Sequence, residues 1–372
     1  MNTHTTSIET ARDEARRQLT ICNACRYCEG YCDVFPAMER RREFTDGELD
    51  YLANLCHNCR GCYYACQYAP PHRFQVNLPA ALEELRHGTY EVYAWPQALG
   101  RLFQANGLVV SLATALGLGA VLILSAILAA PGVMSTAHEG GNFYAVIPHE
   151  VMVLTAGIPF GFSLLALFMG LRAYLRKTGE TGPNAGDWAR GLHDAFTLKN
   201  LGGGGGGCNY PDPAFSNARK RYHHFTFYGF MLCFAATVVG TVYHYGFGWE
   251  APYGWFSLPV ILGTVGGIGL LIGPIGLIAL KFRADRNPAV ARLMGMDMAF
   301  LALLLLISLS GLLLLGLRET AAMGWLLAIH LGFVLALFVA LPYSKFVHGL
   351  YRIAALARNA AEVRRGSSYP GC

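Results

Sequence analysis

Residues 22–32 read CNACRYCEGYC and residues 56–66 read CHNCRGCYYAC. Each stretch spaces four cysteines as C-x2-C-x2-C-x3-C: Cys22, Cys25, Cys28 and Cys32, then Cys56, Cys59, Cys62 and Cys66. Three thiolates from one such loop wrap three corners of an iron-sulfur cubane, and the fourth reaches the neighbouring cluster. The spacing therefore predicts two [4Fe-4S] clusters with crossed ligands. Cys22, Cys25, Cys28 and Cys66 would hold the first, and Cys56, Cys59, Cys62 and Cys32 the second. Zinc also accepts four thiolates, but it usually draws on two C-x2-C pairs separated by a longer loop.

Outward from the motifs the chain changes character. The N-terminus from Met1 to Thr20 is polar and lacks the apolar core of a secretory signal, so the cysteines are expected to stay in a reducing compartment, where clustered thiols are ligands rather than disulfides. Residues 1–105 read as a soluble, largely helical head, with helices at 7–19 and at 46–55, the second capped by Thr45. After Trp95 and Pro96 six apolar stretches follow, near 107–130, 148–171, 223–247, 257–280, 295–317 and 324–347. Each is close to the roughly 20 residues a bilayer demands. The whole chain is 53% hydrophobic and 14% charged, against about 25% charged in a soluble globule. The fold class expected is an all-α membrane protein: a six-helix bundle over 106–348, an N-terminal ferredoxin-like head, and a C-terminal tail over 349–372.

The net charge of +5 is distributed by topology. Connections 131–147 and 248–256 contain no Lys or Arg and 318–323 contains only Arg318, whereas 172–222 holds eight and 281–294 holds four. The positive-inside bias then puts the head and both termini in the cytoplasm of a bacterial inner membrane. Tyr243, Tyr245, Trp249, Tyr253, Trp255 and Trp325 would form an outer aromatic belt. Basic residues gathered between apolar blocks give no reason to expect nucleic acid as a partner. The inner loop carries Gly202–Gly207 followed by Cys208. That run is not G-x-G-x-x-G after a strand, so a close-packed or flexible turn is the better reading than a phosphate cradle. A transporter is disfavoured too, since the spans show no clear repeat and hold no acid apart from Asp297 near the inner end of the fifth.

Polar rings in apolar spans are functional hypotheses by default. His330 and His348 are eighteen residues apart, which places them on one face if the sixth span runs unbroken. The third span offers His223 and His224 at its inner end and His244 at its outer end, His223 being about 60° from His244 on the helical wheel and His224 about 160°. Two helices with histidines at both faces can hold stacked b haems. The expected pairs are His244 with His330 outside and His223 or His224 with His348 inside, with His149 as a reserve ligand or quinone-site residue. His57, inside the second motif, is expected to tune the cluster's potential.

These features bear a resemblance. Bacterial ferredoxins place proline directly after the fourth cysteine, whereas Pro36 and Pro70 each come four residues later. A helix between the motifs is instead similar to the all-helical ferredoxins of respiratory iron-sulfur subunits. The paired motifs, the segment GGGGGGCNYP, the segment RKRYHHFTFYGFMLCFAAT and the final HLGFVLALFVALPYSKFVHG together resemble the tricarballylate utilisation protein B group, the CitB type of citrate utilisation proteins, over nearly the whole chain. The last segment is also similar to haem-binding gamma subunits of nitrate reductases. The resemblance implies a protein that reoxidises the reduced FAD of a separate soluble tricarballylate dehydrogenase and delivers electrons to membrane quinone. The alternative is the reverse flow, from quinol through haem to a cytoplasmic reductase of heterodisulfide type. A head that binds metal only to fold is a third possibility, and it leaves the paired histidines unexplained.

Overall fold

The computed structural model describes residues 3–179, 182–290 and 293–366, and it is almost entirely helical. The head comprises α1 (Thr3–Cys25), α2 (Val34–Glu39), α3 (Asp46–Leu55), α4 (Gly61–Tyr64) and α5 (Leu78–Val92). Helix α3 is its core: Leu49, Tyr51, Leu52, Ala53 and Leu55 are all fully buried. Its start is built as expected, with the Thr45 hydroxyl accepting from the Glu48 amide at 3.4 Å and Asp46 and Glu48 in the first turn, where the helix dipole favours acids. Helix α1 is longer than the sequence suggested. It buries Ile8, Ala11, Ala15 and Leu19, a spacing of three to four residues that makes one apolar face. Arg12 on α1 donates to the fully buried Asp50 of α3 at 2.9 Å, and Tyr93 Oη donates to the same carboxylate at 2.6 Å.

Among the described residues six helices are long and apolar enough to cross a membrane: Val109–Ala129 within α6 (Gln97–Ala129), α7 (His149–Thr178), then α9 (Ala218–Phe247), α10 (Leu258–Arg283), α11 (Met294–Gly316) and α12 (Met323–Ala340). Between α7 and α9 lies α8 (Ala185–Phe196), opened by a reciprocal cap between Asn184 and Asp187. The composition change near residue 105 falls inside α6, which runs without interruption from the head into the bundle. Helices α9 and α10 meet through small residues: a Cβ on Gly229 would stand 2.8 Å from the Gly266 carbonyl oxygen. Helices α6 and α12 do the same, since a Cβ on Gly332 would stand 2.8 Å from the Ala115 carbonyl oxygen.

Two sequence expectations need correction. The sixth span ends at Ala340 rather than at 347, and turns carry the chain over 341–346 before α13 (Val347–Gly366) begins. Pro342 has no N–H to continue the helical ladder, and the break follows it. His348 thus belongs to α13 and not to the helix that carries His330, so the helical-wheel relation between them does not apply. The stretch after 348, read as a tail, is mostly this helix. Its Ala354, Ala355, Leu356 and Ala357 are buried, a Cβ on Gly191 of α8 would lie 2.7 Å from the Ala357 amide nitrogen, and Arg358 pairs with Glu48 of α3 at 2.6 Å. The C-terminal helix therefore returns to brace the head.

Candidate functional site

The last turn of α1 and the loop after it carry the first cysteine motif, the loop after α3 and the chain through and just past the short α4 carry the second, and the head folds them against each other. Cys22, Cys25, Cys28 and Cys66 line one cavity with Ile21, Tyr27, Phe35, Tyr68, Val76 and Leu78, and Cys62 completes the wall toward the second motif. Burial first, and the neighbouring Cys66, Cys28 and Cys25 second, push the Cys22 thiol up to about 12. Cys32 is driven upward by burial and then by Cys59 and Cys56. Cys62 is driven upward by burial and then by Cys59, Cys32 and Cys56. Cys66 thus neighbours the thiols of the first motif and Cys32 those of the second, two groups called the first and second rings. The donor set is sulfur alone. Among the described residues no three His, Cys, Asp or Glu side chains converge closely enough to hold a single metal ion. Rings of thiols around a volume, rather than a convergent point, fit a four-iron cubane better than zinc.

The second ring is the more enclosed. Three arginines hold its loop by backbone carbonyl oxygens: Arg86 Nη1 donates to Cys56 at 2.7 Å, Arg352 Nη2 donates to the same oxygen at 2.6 Å, and Arg219 Nη1 donates to Asn58 at 2.5 Å. His57 is buried among them, its Nδ1 against the Leu55 carbonyl oxygen at 2.8 Å. Burial first, then Arg352, hold it well below the usual imidazole range. The glycine run has a structural use here. It forms a tight turn that delivers a two-residue hairpin pairing Cys208 with Ser216 and Asn209 with Phe215. The Asn209 amide then donates to the Cys59 carbonyl oxygen at 3.0 Å. Gly207 has a φ of +106°, and a Cβ there would meet the Ser216 backbone at 2.7 Å, so only glycine suits this position. Cys208 is buried beside the loop and its thiol donates to the Leu201 carbonyl oxygen at 3.1 Å.

Arg219 and Arg352, which hold the second loop, each stand one helical turn from a histidine. His223 of α9 and His348 of α13 have ring centroids 6.0 Å apart, with planes at 77°. Two imidazoles bound to opposite sides of one metal ion, with metal–nitrogen bonds of about 2 Å, place their centroids roughly 6 Å apart. His348 Nδ1 faces the Lys345 carbonyl oxygen, the arrangement that fixes the tautomer of a ligating imidazole and frees Nε2. The tandem His223-His224 is thereby separated by geometry, because His224 packs instead on Tyr228 at 5.6 Å.

The outer histidines are arranged differently from the expectation. His244 stacks on His149 with centroids 4.0 Å apart, and His330 turns toward α11, its Nδ1 3.1 Å from Ser310 Oγ. Gly311 makes that direction possible, since a Cβ there would lie 2.9 Å from His330 Cε1. The structure therefore does not bring His244 and His330 together, and it moves the reserve residue His149 into the place of the partner. Asp297 is buried at the seam between head and bundle. It lies 2.5 Å from Lys281 Nζ and 2.8 Å from Lys345 Nζ, with His87 Nε2 4.0 Å away. Sequence reasoning passed over Arg86, Arg219 and Arg352. The signal for the last two was present: each stands four residues, one helical turn, from His223 or His348.

Fold and site together define a polytopic α-helical membrane protein with a helical iron-sulfur-type head. The comparisons place it more narrowly. Residues 15–91 match the family described as "Citrate utilization protein B Fer4-like domain" and residues 101–368 match "Citrate utilization protein B". The chain is 50% identical over 354 residues to the protein named "Citrate utilization protein B" from Escherichia coli, an alignment that covers 95% of this chain and 93% of that one. The chain belongs to the citrate utilization protein B family. No solved structure matches it.

Proposed function

We propose that this protein is a membrane electron-transfer subunit that reoxidises the FADH2 of a separate soluble dehydrogenase, of the tricarballylate type, and delivers the electrons to the quinone pool. Two [4Fe-4S] clusters on the crossed cysteine sets and a b-type haem between His223 and His348 would supply one-electron chemistry between those two-electron partners. The head and both termini face the cytoplasm of a bacterial inner membrane, in keeping with the distribution of Lys and Arg among the connections.

The observation that carries this reading is the approach of His223 and His348 to 6.0 Å, each one helical turn from an arginine that holds the second cysteine loop. The chain's own residues make the path continuous. Tyr27, on the rim of the first ring, is 65% exposed, which offers a donor access there. Cys62 lies on the wall shared by the two rings. Arg219 and Arg352 then tie the second loop to the two helices that carry the inner histidines. Both histidines are half-buried; among the described residues His223 Nδ1 has no hydrogen-bond partner, and His348 Nδ1 is held by the Lys345 carbonyl oxygen, which leaves its Nε2 free.

The test is anaerobic reduction of the purified protein by free FADH2 followed by addition of a water-soluble quinone analogue. Cluster and haem absorbance should bleach and then recover, and His348→Ala should lose the haem spectrum while retaining its iron-sulfur signal. A protein with clusters but no redox-active haem contradicts the haem step. One without clusters contradicts the whole reading.

A further inference from the structure

Six arginines in and against the head fall into two groups. Arg12, Arg41 and Arg358 meet carboxylates, with contacts of 2.9 Å to Asp50, 2.6 Å to Glu362 and 2.6 Å to Glu48. Arg86, Arg219 and Arg352, around the second thiol ring, meet backbone carbonyl oxygens at 2.7, 2.5 and 2.6 Å. Among the described residues none of these three forms an ion pair with an Asp or Glu within 4.0 Å. The nearby acids are engaged elsewhere: Glu83 accepts from Asn58 Nδ2 at 2.8 Å, and Asp33 accepts from Asn200 Nδ2 at 2.7 Å with Lys199 Nζ at 3.7 Å. Carbonyl oxygens satisfy guanidinium donors but carry no formal charge; Glu83 and Asp297 act on Arg86 only from beyond ion-pair distance, and cations crowded together and partly out of water are costly. A thiolate-held cluster brings a counter-charge.

Among the described residues no arginine donates to the first loop except Arg26, which points to the Asn23 carbonyl oxygen on the exposed surface, and the wall of that ring is apolar and aromatic apart from Gln67.

We propose that Arg86, Arg219 and Arg352 give the head its direction by holding the second cluster at a higher reduction potential than the first. The inference rests on reading the two thiol rings as cluster sites. In the step concerned, one electron leaves the cluster on Cys22, Cys25, Cys28 and Cys66 and reduces the cluster on Cys56, Cys59, Cys62 and Cys32, with no proton moved and no bond made or broken. Reduction adds one negative charge, and nearby cations favour the reduced form. Electrons entering at the exposed ring thereby collect at the ring beside His223 and His348. This polarity suits oxidation of a soluble donor and opposes flow in the reverse direction.

The experiment is an EPR-monitored redox titration of the detergent-solubilised full-length protein. Cys25→Ser and Cys59→Ser assign each signal to its ring, and the higher potential should belong to the signal that Cys59→Ser perturbs. Arg86→Gln, Arg219→Gln or Arg352→Gln should each shift the equilibrium between the clusters at least tenfold toward the first, about 59 mV for a one-electron couple. Arg352→Lys, which keeps the charge, should restore most of the shift, and Arg26→Asn should leave both potentials in place. Should Arg352→Gln fail to retain iron, the half-buried Arg219 carries the same test. The proposal is overturned if the higher potential follows Cys25→Ser, or if the Gln variants retain iron and leave the potentials unchanged. Loss of every four-iron signal from the unsubstituted protein would instead overturn the cluster reading itself, and this inference with it.

Discussion

The two cysteine rings share one spacing and differ in nearly everything around it. The first opens beside Tyr27, with a mostly apolar wall. The second is enclosed by the Asn209 hairpin and by arginines that reach it from α5, α9 and α13. Spacing sets the chemistry that a motif performs, and surroundings set its place in a sequence of events. The outer ring is built for access and the inner ring for retention and hand-over. Arg219 and Arg352, which hold the inner loop, also stand one turn from His223 and His348, so that loop and the two histidines form one mechanical unit.

Removing a crossed ligand should have the largest effect. Cys66→Ala and Cys32→Ala should each cost about half of the bound iron, and Cys32→Ala should abolish reduction of the membrane segment, whereas conversion of the lone Cys208 should leave iron content intact. Iron analysis and Mössbauer spectroscopy check this, and equal loss for Cys208→Ala would break the assignment of the rings. Next, His348→Ala should eliminate the haem absorbance associated with the inner pair, while His224→Ala should retain it, because His224 faces Tyr228. A reversed outcome would mean that the second ring has a different neighbour.

Exposure should separate the rings more gently. Treatment with ferricyanide and chelator should remove iron first from the ring beside Tyr27, and only later from the ring beneath the Asn209 hairpin. Gly207→Val should erase that difference by forcing the hairpin off Cys59. Time-resolved loss of the two EPR signals reports the order. Simultaneous loss in the unsubstituted protein would remove the distinction between an open and an enclosed ring.

The smallest effect concerns the seam under the inner ring. Burial first, then the Lys345 ammonium, keep His87 well below the usual imidazole range. Because this pKa is depressed on folding, the unfolded chain binds a proton that the folded one refuses. Stability is then fully present above about 6.5 and is lost as pH falls through that value, by up to about 1.4 kcal/mol per pH unit. Thermal denaturation in detergent at pH 7.5 and 5.5 measures the slope, and His87→Asn should flatten it.

Much of this was legible in sequence for specific physical reasons. Cysteine spacing encodes an iron-sulfur-type head directly, because the chain between neighbouring cysteines is too short to permit many arrangements. Apolar length encodes the six spans. The break at 341–346 was harder to see, because VLALFVALPY reads as one apolar run and only Pro342 marks the end of its helix. Missing that break put His348 on the wrong helix, treated α13 as a tail, and so concealed Arg352. The outer histidines failed for another reason. Depth along a span is visible in sequence, but the direction of a ring depends on whether a neighbour leaves room, as Gly311 does for His330.

The central claim is an ordered path from the exposed ring through the enclosed ring to His223 and His348. Rapid freeze-quench EPR after mixing the oxidised protein with free FADH2 tests it most directly. The signal perturbed by Cys25→Ser should appear first, that perturbed by Cys59→Ser second, and haem reduction last, with Cys59→Ser delaying the haem but not the first signal. Haem reduction that precedes both cluster signals, or that proceeds unchanged in Cys59→Ser, would contradict the account.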